Sequence, residues 1–485
     1  MDHITIINQA IAAFKAQDRE KTVSLLSQLI AQKAPLGPNW INLAQIATAI
    51  GEVSMVVAIA NLIAESNQGN HQAMMQAATL MAQAGKVDDA YQMAKPLLAQ
   101  NPNDPALNHF VGSLQSQLGD IKGSLKSLRT TLSTWKTSGV TWMSLAAVKN
   151  FTADDDDFKA MLTAQDAIKS TQPDVQSAYN YALGKAYSDM GETKKAFEYY
   201  SQGAEMIKKL RPFNMGGETE FCQGLMQSFT PISLQKLTAS GCQDDRPIFI
   251  VGWPRTGSTL VEQILTSHED VADGGEINIF RTAAMPLKGF SLEHAFAYEN
   301  RFEDKQKAWQ EIAENYLHLL QERFSSTARI VDKSLNNSRY LGLIRHVFPK
   351  APIIWMRRDP HDAAWSCYRT FFSTSLNWTW SFSDIAKYFK AEDQLREHWL
   401  ELYGDAILEV PYEELVCDKE KWIPKILAHC GLSEQKHVYD FHKTKRAVLT
   451  SSVAQVRNPM TKAPIGSAEP YKKLMQEFTD IYKGE

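Results

Sequence analysis

At 485 residues the chain is long for one hydrophobic core, so two or more domains are expected. Hydrophobic residues make up 44% and charged residues 22%, and the net charge of -4 speaks against a dedicated nucleic-acid binder. The N-terminal MDHITIINQAIAAFKAQDRE has neither a basic region nor an unbroken apolar run, and no later stretch approaches the ~20 apolar residues that cross a bilayer, so a cytoplasmic protein without a membrane span is expected. Cys222, Cys242, Cys367, Cys417 and Cys430 are odd in number and lack CxxC spacing, which argues for buried or incidental thiols rather than disulfides or zinc.

The first half repeats. Gly51, Gly85 and Gly119 stand 34 residues apart, each where one apolar helical stretch gives way to another. In the clearest copy Leu183, Gly184, Tyr187, Gly191, Ala196 and Tyr200 hold the small and large positions that let the two helices of one unit nest. Trp40, Trp142, Ala90 and Pro102 fit the same frame. These residues resemble the tetratricopeptide repeat family. Counting back from Gly51 puts a first copy on residues 3–36 with its turn at Gln17-Asp18, and a fifth copy holds Trp142 and about four extra residues near Asp154 to Asp157. A sixth begins at about Ser177. Six helix pairs imply a solenoid suited to a peptide or protein partner, or to pairing as a homodimer. The four-aspartate run lacks the alternating ligands and turn glycine of a calcium loop and reads as a solvated turn.

The repeat stops after Leu210. Residues 211–245 read as a linker with a short helix, and a new architecture begins at Arg246. There the β-rich runs PIFIVGW, ARIVDK, PIIWMR and AILEV alternate with helical stretches at 303–324, 338–348 and 384–402. That alternation predicts a parallel sheet with helices on both faces and a ligand at the carboxyl ends of the strands.

The first of these strands runs into Gly252-Trp253-Pro254-Arg255-Thr256-Gly257-Ser258-Thr259 and then a helix. Unpaired N–H groups and the helix dipole make such a turn an anion site. The glycine spacing matches the nucleoside-triphosphate loop, but Ser258 stands where that loop needs lysine, which argues against kinase or GTPase chemistry. Arg255 offers a forked cation instead, with helix capping as its plainer role.

PRTGSTLVEQILTSHEDVADGGE resembles the 5′-phosphosulfate loop of sulfotransferases, above all the tyrosylprotein branch and bacterial enzymes that join tetratricopeptide repeats to this domain. The resemblance implies 3′-phosphoadenosine 5′-phosphosulfate (PAPS) as donor, 3′-phosphoadenosine 5′-phosphate (PAP) as product, and no metal. It makes Glu276, 21 residues after Arg255, the general base, with capping of a helix after the Gly274-Gly275 turn as the alternative. Gly275 replaces a further glutamate of the tyrosylprotein enzymes, so tyrosine specificity does not follow. Lys333 in IVDKS matches the strand-end lysine that neutralises charge on the breaking bond. WMRRDPHDAAWSCYR resembles the 3′-phosphate segment, with Arg358 and Ser366 eight residues apart; Arg357 and Arg369 give support, and His361 and Asp362 read as helix-start residues. TSSVAQVRNP resembles a further family segment in which Ser452 hydrogen-bonds the sulfuryl group. Beyond it, Gly466-Ser467-Ala468 departs from a glycine, arginine and aromatic pattern; the lost arginine weakens nucleotide binding unless a residue such as Lys462 replaces it.

The expected fold class is therefore α plus α/β: a tetratricopeptide-like helical solenoid over 1–210, a connecting segment over 211–245, and a P-loop-like sulfotransferase domain with a parallel sheet over 246–485. Arg255, Lys333, Ser452 and Glu276 are the expected catalytic residues. Arg255, Thr256, Gly257, Ser258, Thr259, Arg358 and Ser366 are expected to bind the donor. The acceptor hydroxyl is left open among a protein tyrosine or other peptide group, a glycan and a small phenol. The rival reading is a repeat adaptor whose second domain has lost catalysis.

Overall fold

The computed structural model describes residues 2–67, 69–324, 328–372, 376–443 and 459–484. Its first 210 residues form helices that pair in sequence order: α1 (His3–Lys15) with α2 (Arg19–Ala31), α3 (Asn39–Ala49) with α4 (Val53–Ser66), and α5 (His71–Gln83) with α6 (Val87–Gln100). α7 (Pro105–Leu118) pairs with α8 (Ile121–Thr134), α9 (Gly139–Ala147) precedes α10 (Asp156–Ile168), and α11 (Pro173–Asp189) pairs with α12 (Thr193–Leu210). The turn glycines explain the period. Gly51, Gly85 and Gly119 have φ of 81°, 78° and 86°, the left-handed conformation that closes a helix, and Gly191 repeats it at 76°. Gln17 holds the equivalent position in the first pair at φ 59° without being glycine. Trp40 and Trp142 are both buried, and each indole N–H donates to the carbonyl six residues earlier, Ala34 at 3.1 Å and Lys136 at 2.8 Å.

Two details differ from expectation. The sixth pair begins at Pro173, which starts α11 as an N1 proline. The aspartate run is only partly a solvated turn. Asp155 caps α10, while Lys149 sits 2.6 Å from Asp155 and 2.5 Å from Asp157, and Arg129 reaches Asp157 at 2.8 Å; Asp154 and Asp156 are exposed.

The α/β half is built on β1 (Pro247–Gly252), β2 (Val271–Gly275), β3 (Arg329–Asp332), β4 (Ile353–Arg357) and β5 (Ile407–Pro411), in the order β2-β3-β1-β4-β5. All pairs are parallel, with Phe249 opposite Ile353 and Ile248 opposite Val331. β1 is central and buried along its whole length, as an apolar run covered on both faces must be. β2 was not expected. Val-Ala-Asp-Gly-Gly carries little strand propensity, and it pairs at the edge where Gly274 lets the backbone approach Val331. Gly274-Gly275 is thus the end of a strand rather than a turn before a helix, and Lys333 follows the third strand, not the second.

The connecting segment carries a longer helix than expected, Met215–Ser228, and its Leu225 and Phe229 are buried in the α/β core, where Phe229 meets the Trp399 ring edge-on at 5.7 Å. The two halves touch at both ends of the helical stack. Near its start, Arg19 and Glu52 form a buried ion pair, His318 Nε2 lies 3.1 Å from Glu52, and Arg323 donates to the Gly51 carbonyl at 3.0 Å. Near its end, the Tyr181 hydroxyl donates to the Tyr368 carbonyl at 2.9 Å and Phe197 stacks on Phe382. Among the described residues no helix is long and apolar enough to cross a membrane.

Candidate active site

The carboxyl ends of β1, β2, β3 and β4 meet at one place because the sheet is parallel, and most of the expected site residues lie there. The β1 turn is shaped by its glycines. Gly252 has φ 125° beside the Met356 backbone, and Gly257 has φ 89°, where a Cβ would collide with the Tyr412 ring. Thr256 is fully buried and locks the turn by donating to the Trp253 carbonyl at 2.7 Å, and Trp253 stacks on Phe389 with ring centroids 4.0 Å apart. Ser258 and Thr259 then open the nine-residue helix Ser258–Thr266, so their backbone N–H groups face the turn.

Arg255 occupies the turn's middle in the left-handed region, φ 67°. Its Nε donates to Ser366 Oγ at 3.0 Å, and its own carbonyl accepts from Arg358 at 2.9 Å. Arg358 further donates to the Pro464 carbonyl at 2.5 Å and lies over the Tyr412 ring at 4.8 Å. Thus Ser366 meets Arg255, while Arg358 braces the backbone of the same turn. Burial, helped by the charges of Arg369 and Arg358, lowers the Arg255 guanidinium to about 10. Cations so crowded favour an anion among them.

On the other side, Lys333 is almost fully buried at the end of β3. Its Nζ lies 2.6 Å from Glu276 Oε1, 3.5 Å from Glu262 Oε2 and 3.5 Å from Thr259 Oγ1. Glu276 follows β2 directly and its side chain is 49% exposed, open to an incoming molecule yet anchored on one side. A chain of bonds fixes this corner: the Tyr316 hydroxyl donates to Asp332 at 2.8 Å, Ser334 bonds the other Asp332 oxygen, and the Asn278 N–H donates to Ser334 Oγ at 2.7 Å. Burial raises the Asp332 carboxyl above its usual range against these hydrogen bonds.

Glu262, Asp332 and Asp362 were not singled out for the site. Glu262 interrupts an apolar helical run and Asp332 immediately precedes Lys333, which are the signals that could have found them. Asp362 does start a helix, and it also accepts from Gly466 N at 2.7 Å, Ala468 N at 2.8 Å and Ser467 Oγ at 3.3 Å. Ser467 therefore turns to Asp362, where a cation was expected. Ser452 lies outside the described residues.

Residues 247–436 match the model of the sulfotransferase family. The C-terminal half of the chain contains a sulfotransferase domain. An uncharacterized protein of Aquifex aeolicus is 29% identical over 313 residues, 63% of this chain and 41% of that protein. The protein-tyrosine sulfotransferase of Drosophila melanogaster is 25% identical over 184 residues, 37% of each chain. This chain thus spans about two fifths of the length of the curated relatives it matches. Among solved structures, the sulfotransferase domain of the Synechococcus olefin synthase is 18% identical and covers 51% of this chain and 98% of its own, with a TM-score of 0.36. The matched residues span all five strands and the strand ends described above.

Proposed function

We propose that the protein transfers a sulfuryl group from PAPS to an acceptor hydroxyl. The observation that carries this reading is the convergence of the Glu276–Lys333 pair on Thr259 of the β1 turn, whose Arg255 stands among further cations. The turn and the helix N-terminus at Ser258 and Thr259 hold the 5′-phosphosulfate, with Thr256 and Gly257 keeping its backbone open. Arg358 and Ser366, carried on β4's end and the following helix, recognise the 3′-phosphate, and a dianion there offsets the crowding of Arg255 and Arg358.

In the reaction the acceptor oxygen attacks sulfur in line. The bond from sulfur to the oxygen of the 5′-phosphate breaks, its electron pair stays on that phosphate, and Glu276 takes the acceptor proton. Lys333 and Arg255 stabilise the charge that builds on the leaving oxygen. Ser452 is assigned to the sulfuryl group on its sequence context alone. No metal enters this scheme. We also place the division of the chain at residue 210, with 211–245 and 246–485 acting together because Phe229 belongs to the α/β core.

Incubation with labelled PAPS and a panel of phenols, tyrosine peptides and glycans tests the reading. Label on any acceptor supports it. Intact PAP binding without transfer to any member favours the adaptor reading, for which the Ser467 contact with Asp362 in place of a cation speaks.

A further inference from the structure

A cavity of about 670 Å³ opens beside the proposed site, between the start of the helical stack and the segments that follow Glu276 and Lys333. Asn278 lies two residues beyond Glu276, and Asn336 and Asn337 lie just beyond Lys333, so the segments that follow the proposed base and its lysine partner supply part of the cavity wall. The helical half supplies the opposite wall through Phe14, Gln17 and Ala49.

Backbone strain gathers here. Among the described residues five that are not glycine have positive φ, and Gln17 (59°), Asn278 (50°) and Lys288 (60°) all line this cavity. Arg255 is the fourth, and Lys33, which pairs with Glu65, is the fifth. A left-handed residue other than glycine is strained, persists only where its surroundings hold it, and tends to cluster at ligand sites. Gln17 makes the point most sharply. Four other pairs place glycine at this turn, whereas the first pair carries a side chain that lines the cavity, and its amide bonds no described residue.

The lining is also lopsided in charge. Arg281 and Lys288 are exposed cations that pair with no described carboxylate, and no aspartate or glutamate lines the cavity. Phe290 and Tyr340, with ring centroids 4.5 Å apart, form an aromatic wall. The volume falls within the roughly 300–1,000 Å³ of small-molecule sites.

We infer that this cavity is the acceptor site, that it takes a small phenol carrying a carboxylate, and that Gln17 of the helical half helps select it. This rests on the sulfuryl-transfer reading. The phenol ring packs on Phe290 and Tyr340, the carboxylate meets Arg281 and Lys288, and the hydroxyl points toward Glu276.

The test is equilibrium binding of para-hydroxyphenylacetate, para-cresol and tyramine to the full chain, with and without PAP. The carboxylate is expected to bind at least about tenfold tighter than either comparator. Arg281→Ala and Lys288→Ala should each weaken it about fivefold or more. Gln17→Gly should also weaken it while folding normally and melting no lower than the parent, since glycine suits that turn. PAP affinity should stay unchanged in all three variants. Equal affinities for the three phenols, binding of none, or an unaltered Gln17→Gly would overturn the inference. A tyrosine peptide flanked by glutamates that binds more tightly than the free phenol would overturn the small-molecule assignment. Failure of PAP to bind the parent would instead strike the donor reading.

Discussion

Lys333 Nζ stands 2.6 Å from Glu276 Oε1, joining the carboxyl ends of two neighbouring parallel strands. Glu262 lies 3.5 Å from the same ammonium, so removing the Glu276 charge leaves Lys333 a partner and the fold intact. Glu276→Gln should therefore keep PAP affinity nearly unchanged and lower kcat about 10²-fold or more. Single-turnover kinetics with labelled donor measures this. Unaltered turnover would remove Glu276 as the base.

Arg358 donates to two carbonyls in this structure, those of Arg255 and Pro464, and pairs with Asp362 at 3.8 Å. If it also meets the 3′-phosphate, Arg358→Ala should weaken PAP about tenfold or more while an analogue lacking that phosphate loses little. Calorimetric titration of both ligands separates the cases. Equal losses would mean that Arg358 acts only by bracing the turn around Arg255.

The parts of this protein written as local rules were legible beforehand. The 34-residue period could be read because each closing turn needs a left-handed residue, and the loop at Gly252 to Thr259 because strand, glycine and helix follow without a break. β2 was hidden because its partner is distant in sequence and its own residues favour no strand; pairing with β3 makes it one. The same gap concealed Glu262 and Asp332, whose roles arise only when Lys333 and Tyr316 arrive from other elements. Nothing periodic marks the cavity either, since Gln17 and Lys288 are brought together by how the halves pack.

The cysteines give a check on the packing that is independent of nucleotide binding. Burial pushes the thiols of Cys222, Cys367 and Cys430 up to about 12, whereas Cys417 is exposed. At neutral pH in the native state a small disulfide reagent should modify Cys417 rapidly and Cys242, which is half-buried, more slowly. The other three should react only on unfolding. Peptide mapping after timed labelling gives the order, and early modification of Cys367 would show that the β1 turn does not pack against its helix as described.

Gly51 and Gly85 hold the same turn position in successive helix pairs, yet only one faces the sulfotransferase domain. At Gly85 an added Cβ meets nothing within 4 Å, so Gly85→Ala should cost only the left-handed strain, about 1 kcal/mol. At Gly51 the same atom would lie 2.9 Å from Leu319 Cδ2, and the Gly51 carbonyl accepts from Arg323. Gly51→Ala must add a shift of the helix Lys305–Arg323 or of its buried leucine, for a further cost of about 1–3 kcal/mol. Urea midpoints of the two variants compare these directly, because their backbone strain is nearly the same and cancels. Equal midpoints would mean that the helical stack does not press on that helix in solution, and with it the wall that Gln17 lends to the cavity would lose its support.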